Sequence, residues 1–221
     1  MINPTNMKTR TYIFALLTGL CASISGIAQQ QQKVFDLQKL LSENRLETYG
    51  QKLVPIQDGN RRGLSANKVV WVKGVSFSNG TIEIDLRGKD IPQQSFLGIA
   101  FHGVDTTTYD AIYFRPFNFR SKDSIRKIHA VQYISHPIHT WSKLREEHPG
   151  MYEKGITPPP LATDWFHARI VVKDGEIKVF VNNATEPSLI VIKLNSRRNG
   201  LLGLWNFALN GDFANLSIKD N

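Results

Sequence analysis

The sequence predicts an all-β protein, a two-sheet antiparallel β-sandwich of jelly-roll type. Three observations carry that prediction. Short apolar/polar alternations of period two recur along most of the chain, each the pattern of a strand with one buried face. Turn-forming pairs punctuate them: Asp58-Gly59-Asn60, Asn79-Gly80 and Asp174-Gly175. Apolar repeats of helical period are nearly absent, which leaves sandwich or jelly roll as the layered solution.

The clearest run is residues 95–136. Ser95–Val104, Tyr109–Phe117 and His129–His136 each alternate. Leu97, Ile99 and Phe101 share one face, as do Ile112 and Phe114, and Val131 and Tyr133. If the three runs are neighbours, the opposite face collects His102, Tyr113, Arg115 and Gln132, beside glycine- or alanine-sized gaps at Gly98 and Ala100. A shallow, polar and aromatic face of this kind suits a flat polar ligand such as a sugar. Arginine offers a planar fork to vicinal hydroxyls or a carboxylate, and tyrosine and tryptophan stack on the apolar face of a pyranose.

The other elements follow in order. Lys8 and Arg10 precede an apolar stretch, Tyr12–Leu20, and Gly26-Ile27-Ala28 is a small-x-small site. This is the order of a cleavable export signal, residues 1–28, with cleavage near Ala28. The apolar stretch is too short to span a bilayer. Secreted, periplasmic or cell-surface residence is therefore expected, with no membrane span after cleavage. Losing Lys8 and Arg10 takes the formal charge from +8 to +6. Cleavage also removes Cys21, the single cysteine, so disulfides are excluded and stability must come from a core.

In the remaining chain, Val34–Leu41 reads as a strand running into a helical turn. Leu53–Ile56 and Arg62–Leu64 read as a hairpin across Asp58-Gly59-Asn60. Val69–Phe77 and Thr81–Leu86 read as a hairpin closed by Asn79-Gly80, with Ile82, Ile84 and Leu86 inward. After the central strands, residues 136–160 are rich in proline, histidine, charge and aromatics. Thr140 is placed to cap a short helix ended by Pro149-Gly150, and Trp141, Met151 and Tyr152 make this an ordered loop lying over something. Trp165–Lys173 and Glu176–Asn182 form a hairpin at Asp174-Gly175. Leu189–Leu194, Gly200–Trp205 and Phe213–Ile218 complete the chain. No linker or repeat divides residues 29–221, which are taken as a single domain.

Three stretches carry a resemblance: FSNGTIEIDLRG at Phe77–Gly88, WFHARIVVKDGEIKVFVN at Trp165–Asn182, and GLLGLW followed by GDFANLSI within Gly200–Ile218. Together they resemble the concanavalin A-like lectin/glucanase superfamily. Within it they resemble especially the secreted bacterial domains related to the 3-keto-disaccharide hydrolase and laminin-G-like groups. The resemblance implies a jelly roll that takes ligands on its concave sheet face or rim. It leaves binding and cleavage both open.

Glycoside hydrolysis generally needs two carboxylates flanking the bond. Glu83-Ile84-Asp85 resembles the start of the glucanase signature, but Arg87 and Gly88 stand where its further glutamate belongs. If the protein is an enzyme, Asp110 and Glu146 are its catalytic candidates. The ligand-binding set is His102, Tyr113, Arg115, Asn118, Arg120, Gln132 and Trp141. Trp205 is a second candidate platform, with a core reading beside it. No cofactor motif is present; the resemblance allows a structural calcium near Asp212 or Asp174. The bases are scattered and the chain carries an export signal, which argues against nucleic acid and fits an acidic polysaccharide. The expectation is a secreted carbohydrate-binding domain. A glycoside hydrolase on the same fold and a cell-surface structural or adhesion domain are the alternatives.

Overall fold

The computed structural model describes residue 1 and residues 32–220. Apart from residue 1, the expected export signal, with its expected cleavage site and Cys21, lies outside the described residues. In chain order, β1 (Lys33–Phe35) leads through Asp36 into α1 (Leu37–Ser42), and β2 (Leu46–Glu47) follows. The Asp36 carboxylate caps α1 by accepting from the backbone N–H of Gln38 and Lys39. β3 (Val54–Asp58) and β4 (Arg61–Ala66) pair across Gly59-Asn60. Next come β5 (Val70–Phe77), β6 (Gly80–Arg87), β7 (Ser95–Gly103) and β8 (Tyr109–Phe114), then a 3-10 turn at Pro116–Asn118 and α2 (Ser124–Lys127). β9 (Val131–His136), α3 (Trp141–Glu147) and β10 (Glu153–Lys154) follow. The chain closes with β11 (Phe166–Lys173), β12 (Glu176–Val181), β13 (Leu189–Ile192), β14 (Gly200–Ala208) and β15 (Gly211–Asp220).

These strands build two antiparallel sheets, a lectin-like jelly-roll sandwich. The eight-stranded sheet runs β13-β12-β11-β6-β15-β4-β3, with β1 added along β15. The seven-stranded sheet runs β10-β9-β8-β7-β14-β5-β2. Ile82, Ile84 and Leu86 of one sheet and Leu97, Ile99, Ile112 and Phe114 of the other are fully buried. Phe114 and Phe166 meet edge to face across the gap, centroids 5.0 Å apart. Each such side chain contributes about 1.5–3 kcal/mol over its exposed state. In a chain with a single cysteine, that apolar core is the main source of stability.

The hairpins read at Asp58-Gly59-Asn60 and Asp174-Gly175 form as expected. The one read at Asn79-Gly80 does not. β5 pairs with β14 and β2, whereas β6 pairs with β11 and β15, so this link crosses between sheets. Gly80 is there for another reason. Its φ is +147°, and a Cβ would sit 2.3 Å from the carbonyl oxygen of Lys219 in β15. The glycine answers a close backbone approach, not a two-residue turn.

Candidate functional site

The three central strands are neighbours, as the alternation predicts. Gly98 faces Tyr113 and Tyr113 faces Gln132, while Ile99, Ile112 and Tyr133 line up on the core side. The outer face of this sheet carries paired aromatic residues. Trp205 of β14 and Tyr113 of β8 flank Gly98 in register and close over it, ring centroids 4.7 Å apart. One level along, Phe96 and Phe207 pair with centroids at 5.9 Å. Two levels the other way, past Ala111, Tyr109 stacks on His136 at 5.1 Å, and the Trp205 indole N–H donates to the Tyr109 hydroxyl at 3.1 Å. The small residues of β7 thus leave room that rings from the flanking strands fill.

Above these rings lies a groove of about 870 Å³, within the size range of saccharide and cofactor sites. The loop read as covering something supplies one wall. Thr140 caps α3 as expected, accepting from Lys143 N–H at 3.4 Å, and half-exposed Trp141 lines the groove. A hydrogen-bond chain fixes this wall. Arg115 donates to the Tyr113 hydroxyl and to Gln132 Oε1. Tyr113 donates to the same oxygen at 2.7 Å, and Gln132 Nε2 donates to the Trp141 carbonyl at 3.3 Å. Burial pushes the Tyr113 phenol up to about 12, so it stays protonated and serves as a donor.

The groove's third element is a cationic corner. Arg115, Arg126 and Arg145 line it with His129 and Asn118, and no aspartate or glutamate is among the lining residues described. Glu153 of β10 lies behind the wall, 2 % exposed. It accepts from Arg145 Nε and Nη2 at 2.8 and 2.7 Å. Its Oε2 also lies 3.6 Å from Arg115 Nη1 and 2.8 Å from His129 Nδ1. Burial alone would raise the Glu153 carboxyl; the Arg145 bonds, with the charges of His129 and Arg115, hold it below its ordinary value. Burial lowers the pKa of His129 and of His136.

The remaining expected site residues are placed as follows. Tyr113, Arg115, Asn118 and Trp141 line the groove. Gln132 is fully buried beneath Tyr113. Arg120 lies outside the lining, donating to the carbonyls of Pro159 and Pro160. His102 is on the other face. Between Ala100 and Gly103, Phe101 and His102 together oppose one residue of β14, Leu202. In this bulge His102 has φ +49°, and its ring packs with Phe77 and Phe101 on the core side.

There His102 meets Asp110, which is fully buried rather than on the rim. Asp110 accepts from Tyr133 at 2.8 Å and from Arg197 at 3.1 Å, and Asn195 Nδ2 also bonds it. Burial pushes Asp110 up, but these partners outweigh it and hold the carboxyl low. The cluster ties the 193–199 segment to the core face of the sheet. Glu146 is exposed on α3 and does not line the groove. Glu83 and Asp85 lie on the outer face of the eight-stranded sheet, where Asp85 accepts from Arg61, His167 and Asn215. Asp212 pairs with Arg87, and Asp174 accepts from Asn79. Among the described residues no three His, Cys, Asp or Glu side chains converge as a metal site.

The residues the sequence reading missed are Tyr109, Phe96, Phe207, Arg126, Arg145 and Glu153. The rings were legible as alternating aromatics. Arg145 and Glu153 were not, since only the fold brings α3 against β10.

No protein-family model matches the sequence, and no curated protein matches it. Solved structures do. Carbohydrate-binding module CBM66 from Bacillus subtilis superposes with a TM-score of 0.57 at 12 % identity, covering 80 % of this chain and 96 % of that one. A native glycosidic hydrolase gives 0.52 at 10 % identity, covering 87 % and 97 %. The exoplasmic/lumenal domain of VIP36, bound to Ca2+ and Man3GlcNAc, gives 0.50 at 10 % identity, covering 80 % and 84 %. At these identities the likeness establishes the fold alone: this chain is a lectin-like β-sandwich.

Proposed function

We propose that this chain is a secreted carbohydrate-binding protein. It holds a poly- or oligosaccharide, acidic ones included, in the groove on the outer face of the seven-stranded sheet. The observation that carries this reading is the aromatic lining of that groove, with Trp141 and Phe207 exposed and the Tyr113–Trp205 pair set in the sheet face beside them. Exposed rings beside arginine side chains are what a pyranose, apolar on its faces and polar at its edge, requires. The fold likeness to a carbohydrate-binding module supports it. Within the superfamily we place the chain with the secreted bacterial domains related to the 3-keto-disaccharide hydrolase and laminin-G-like groups. Hydrolysis by the usual route needs two carboxylates at the bond. The described lining offers none, so binding is favoured over cleavage.

The test is a glycan array probed with residues 29–221, with reducing-sugar release assayed on every hit. Binding without release supports the reading. Release of sugar makes the protein an enzyme, and the absence of any hit overturns the carbohydrate reading. Export is tested by expressing the full chain with its leader; a product beginning at Gln29 outside the cytoplasm is the expected result.

A further inference from the structure

We infer that the corner formed by Arg145, Arg126 and Asn118 is a subsite for an anionic substituent of the bound saccharide, a uronic carboxylate or a sulfate ester. The inference rests on the carbohydrate reading of the groove and adds where the charge of the ligand goes.

Charge comes first. Three guanidinium groups line this part of the groove, and among the described residues two carboxylates pair with them. Glu153 is buried behind the wall, and Asp123 lies 3.7 Å from Arg126 in an exposed pair that solvent screens. The corner therefore keeps one positive charge in excess beside an apolar aromatic floor. In such a place the attraction for an anion is stronger than at an open surface.

Geometry comes second. Arg145 is oriented before any ligand arrives. Glu153 takes its Nε and Nη2, and its guanidinium carbon lies 5.1 Å from the Trp141 ring centroid. Nη1 is the edge left to offer. A fork held on one edge and one face presents the other edge without further loss of side-chain entropy. The same buried carboxylate holds Arg115 and His129, so Glu153 organises the corner without touching the ligand.

A third observation is independent of charge. Asn118 is 5 % exposed and lines the groove. Its Nδ2 donates to the His129 carbonyl at 3.0 Å, which fixes the amide's orientation. That leaves Oδ1 buried with no partner, an acceptor whose desolvation is uncompensated. An acidic group on the ligand pairs with Arg145, and a small outward turn of the Asn118 amide lets its Oδ1 accept from a neighbouring hydroxyl. Uronic acids and sulfated sugars carry that pair of groups on adjacent carbons.

The experiment is calorimetric titration of the whole chain with paired oligosaccharides. Oligogalacturonate is set against its methyl ester, and a heparin-derived oligosaccharide against its desulfated form. The acidic member of at least one pair should bind about tenfold or more tightly, the size of one charge-assisted bond pair. The pair in which this occurs identifies carboxylate or sulfate. Arg145→Gln and, separately, Arg126→Gln should bring the acidic member to the affinity of its neutral partner. Arg126 is exposed, so its variant keeps the test valid if Arg145→Gln disturbs folding. Trp141→Ala should weaken both members alike. Equal binding of acidic and neutral members, or a preference that survives both arginine variants, overturns the anion subsite and leaves the carbohydrate reading standing. No binding to either member of any pair, nor to any glycan on the array, overturns both.

Discussion

Tyr113 and Trp205 meet over Gly98, their ring centroids 4.7 Å apart, one from each strand flanking β7. The glycine makes the contact possible. A Cβ at position 98 would lie 2.0 Å from the Ile112 carbonyl oxygen and 2.6 Å from Tyr113 Cα. Both are backbone atoms of a central strand, which cannot yield as a side-chain tip could. Floor and fold are thus set by the same residue.

Gly98→Ala should therefore destabilise the protein by about 1–3 kcal/mol, the usual cost of overpacking. Thermal denaturation should show a drop of several degrees, given about 2–4 °C per kcal/mol in a chain of this size. An unchanged Tm would contradict the close approach.

Trp141 and Trp205 separate binding from stability. Trp141 is 49 % exposed and Trp205 8 %. Trp141→Ala should lower affinity for an array hit about tenfold, the scale of a stacking hot spot, with little change in Tm. Trp205→Ala should lower both, since it also opens a cavity beside Tyr109 and Tyr113. Titration and melting curves on the two variants check this.

Glu153→Gln removes the charge that Arg115 and Arg145 share. Arg115 is 5 % exposed, so it would be left buried without its carboxylate. Breaking such a pair costs about 3 kcal/mol or more. The variant should melt several degrees lower, and the Trp141 wall should loosen, read as faster hydrogen exchange across α3.

Acid should destabilise the protein in two stages of the same sign. His129 and His136 are depressed by burial in the folded state. In Asp85, Asp110 and Glu153, buried sites would raise the carboxyls, but their bonds and charges leave them depressed. In every case the unfolded chain binds protons more readily than the folded one. The stability these groups contribute is present above their unfolded values and lost as pH falls through the folded ones. Tm should begin to fall below about pH 6.5 and fall further below about pH 4. Asp110→Asn should flatten the second stage while lowering Tm at neutral pH.

Much of the fold was legible because period two is a local signal. Leu97, Ile99, Ile112 and Phe114 went to the core as their alternation requires, and Asp174-Gly175 turned its hairpin. Asn79-Gly80 misled because the same pair serves a crossing between sheets, where β15 passes too close for a Cβ; only tertiary structure distinguishes the two uses. His102 misled because one bulge residue reverses which face a side chain takes, and nothing in the flanking sequence announces the bulge. Trp205 sits in an apolar strand whose outer face is itself the groove floor, so hydrophobicity alone could not separate site from core. Arg145 and Glu153 met only when α3 folded against β9 and β10.

The most direct measurement is NMR of the four tryptophan indole N–H signals during titration with a glycan hit. Trp141 and Trp205 line the groove, whereas Trp165 donates to Asp58 at the face of the opposite sheet. The account predicts that the Trp141 and Trp205 signals move with ligand and the Trp165 signal stays fixed. Movement of Trp165 with Trp141 and Trp205 unchanged would place the ligand on the eight-stranded sheet and contradict the groove as the binding site.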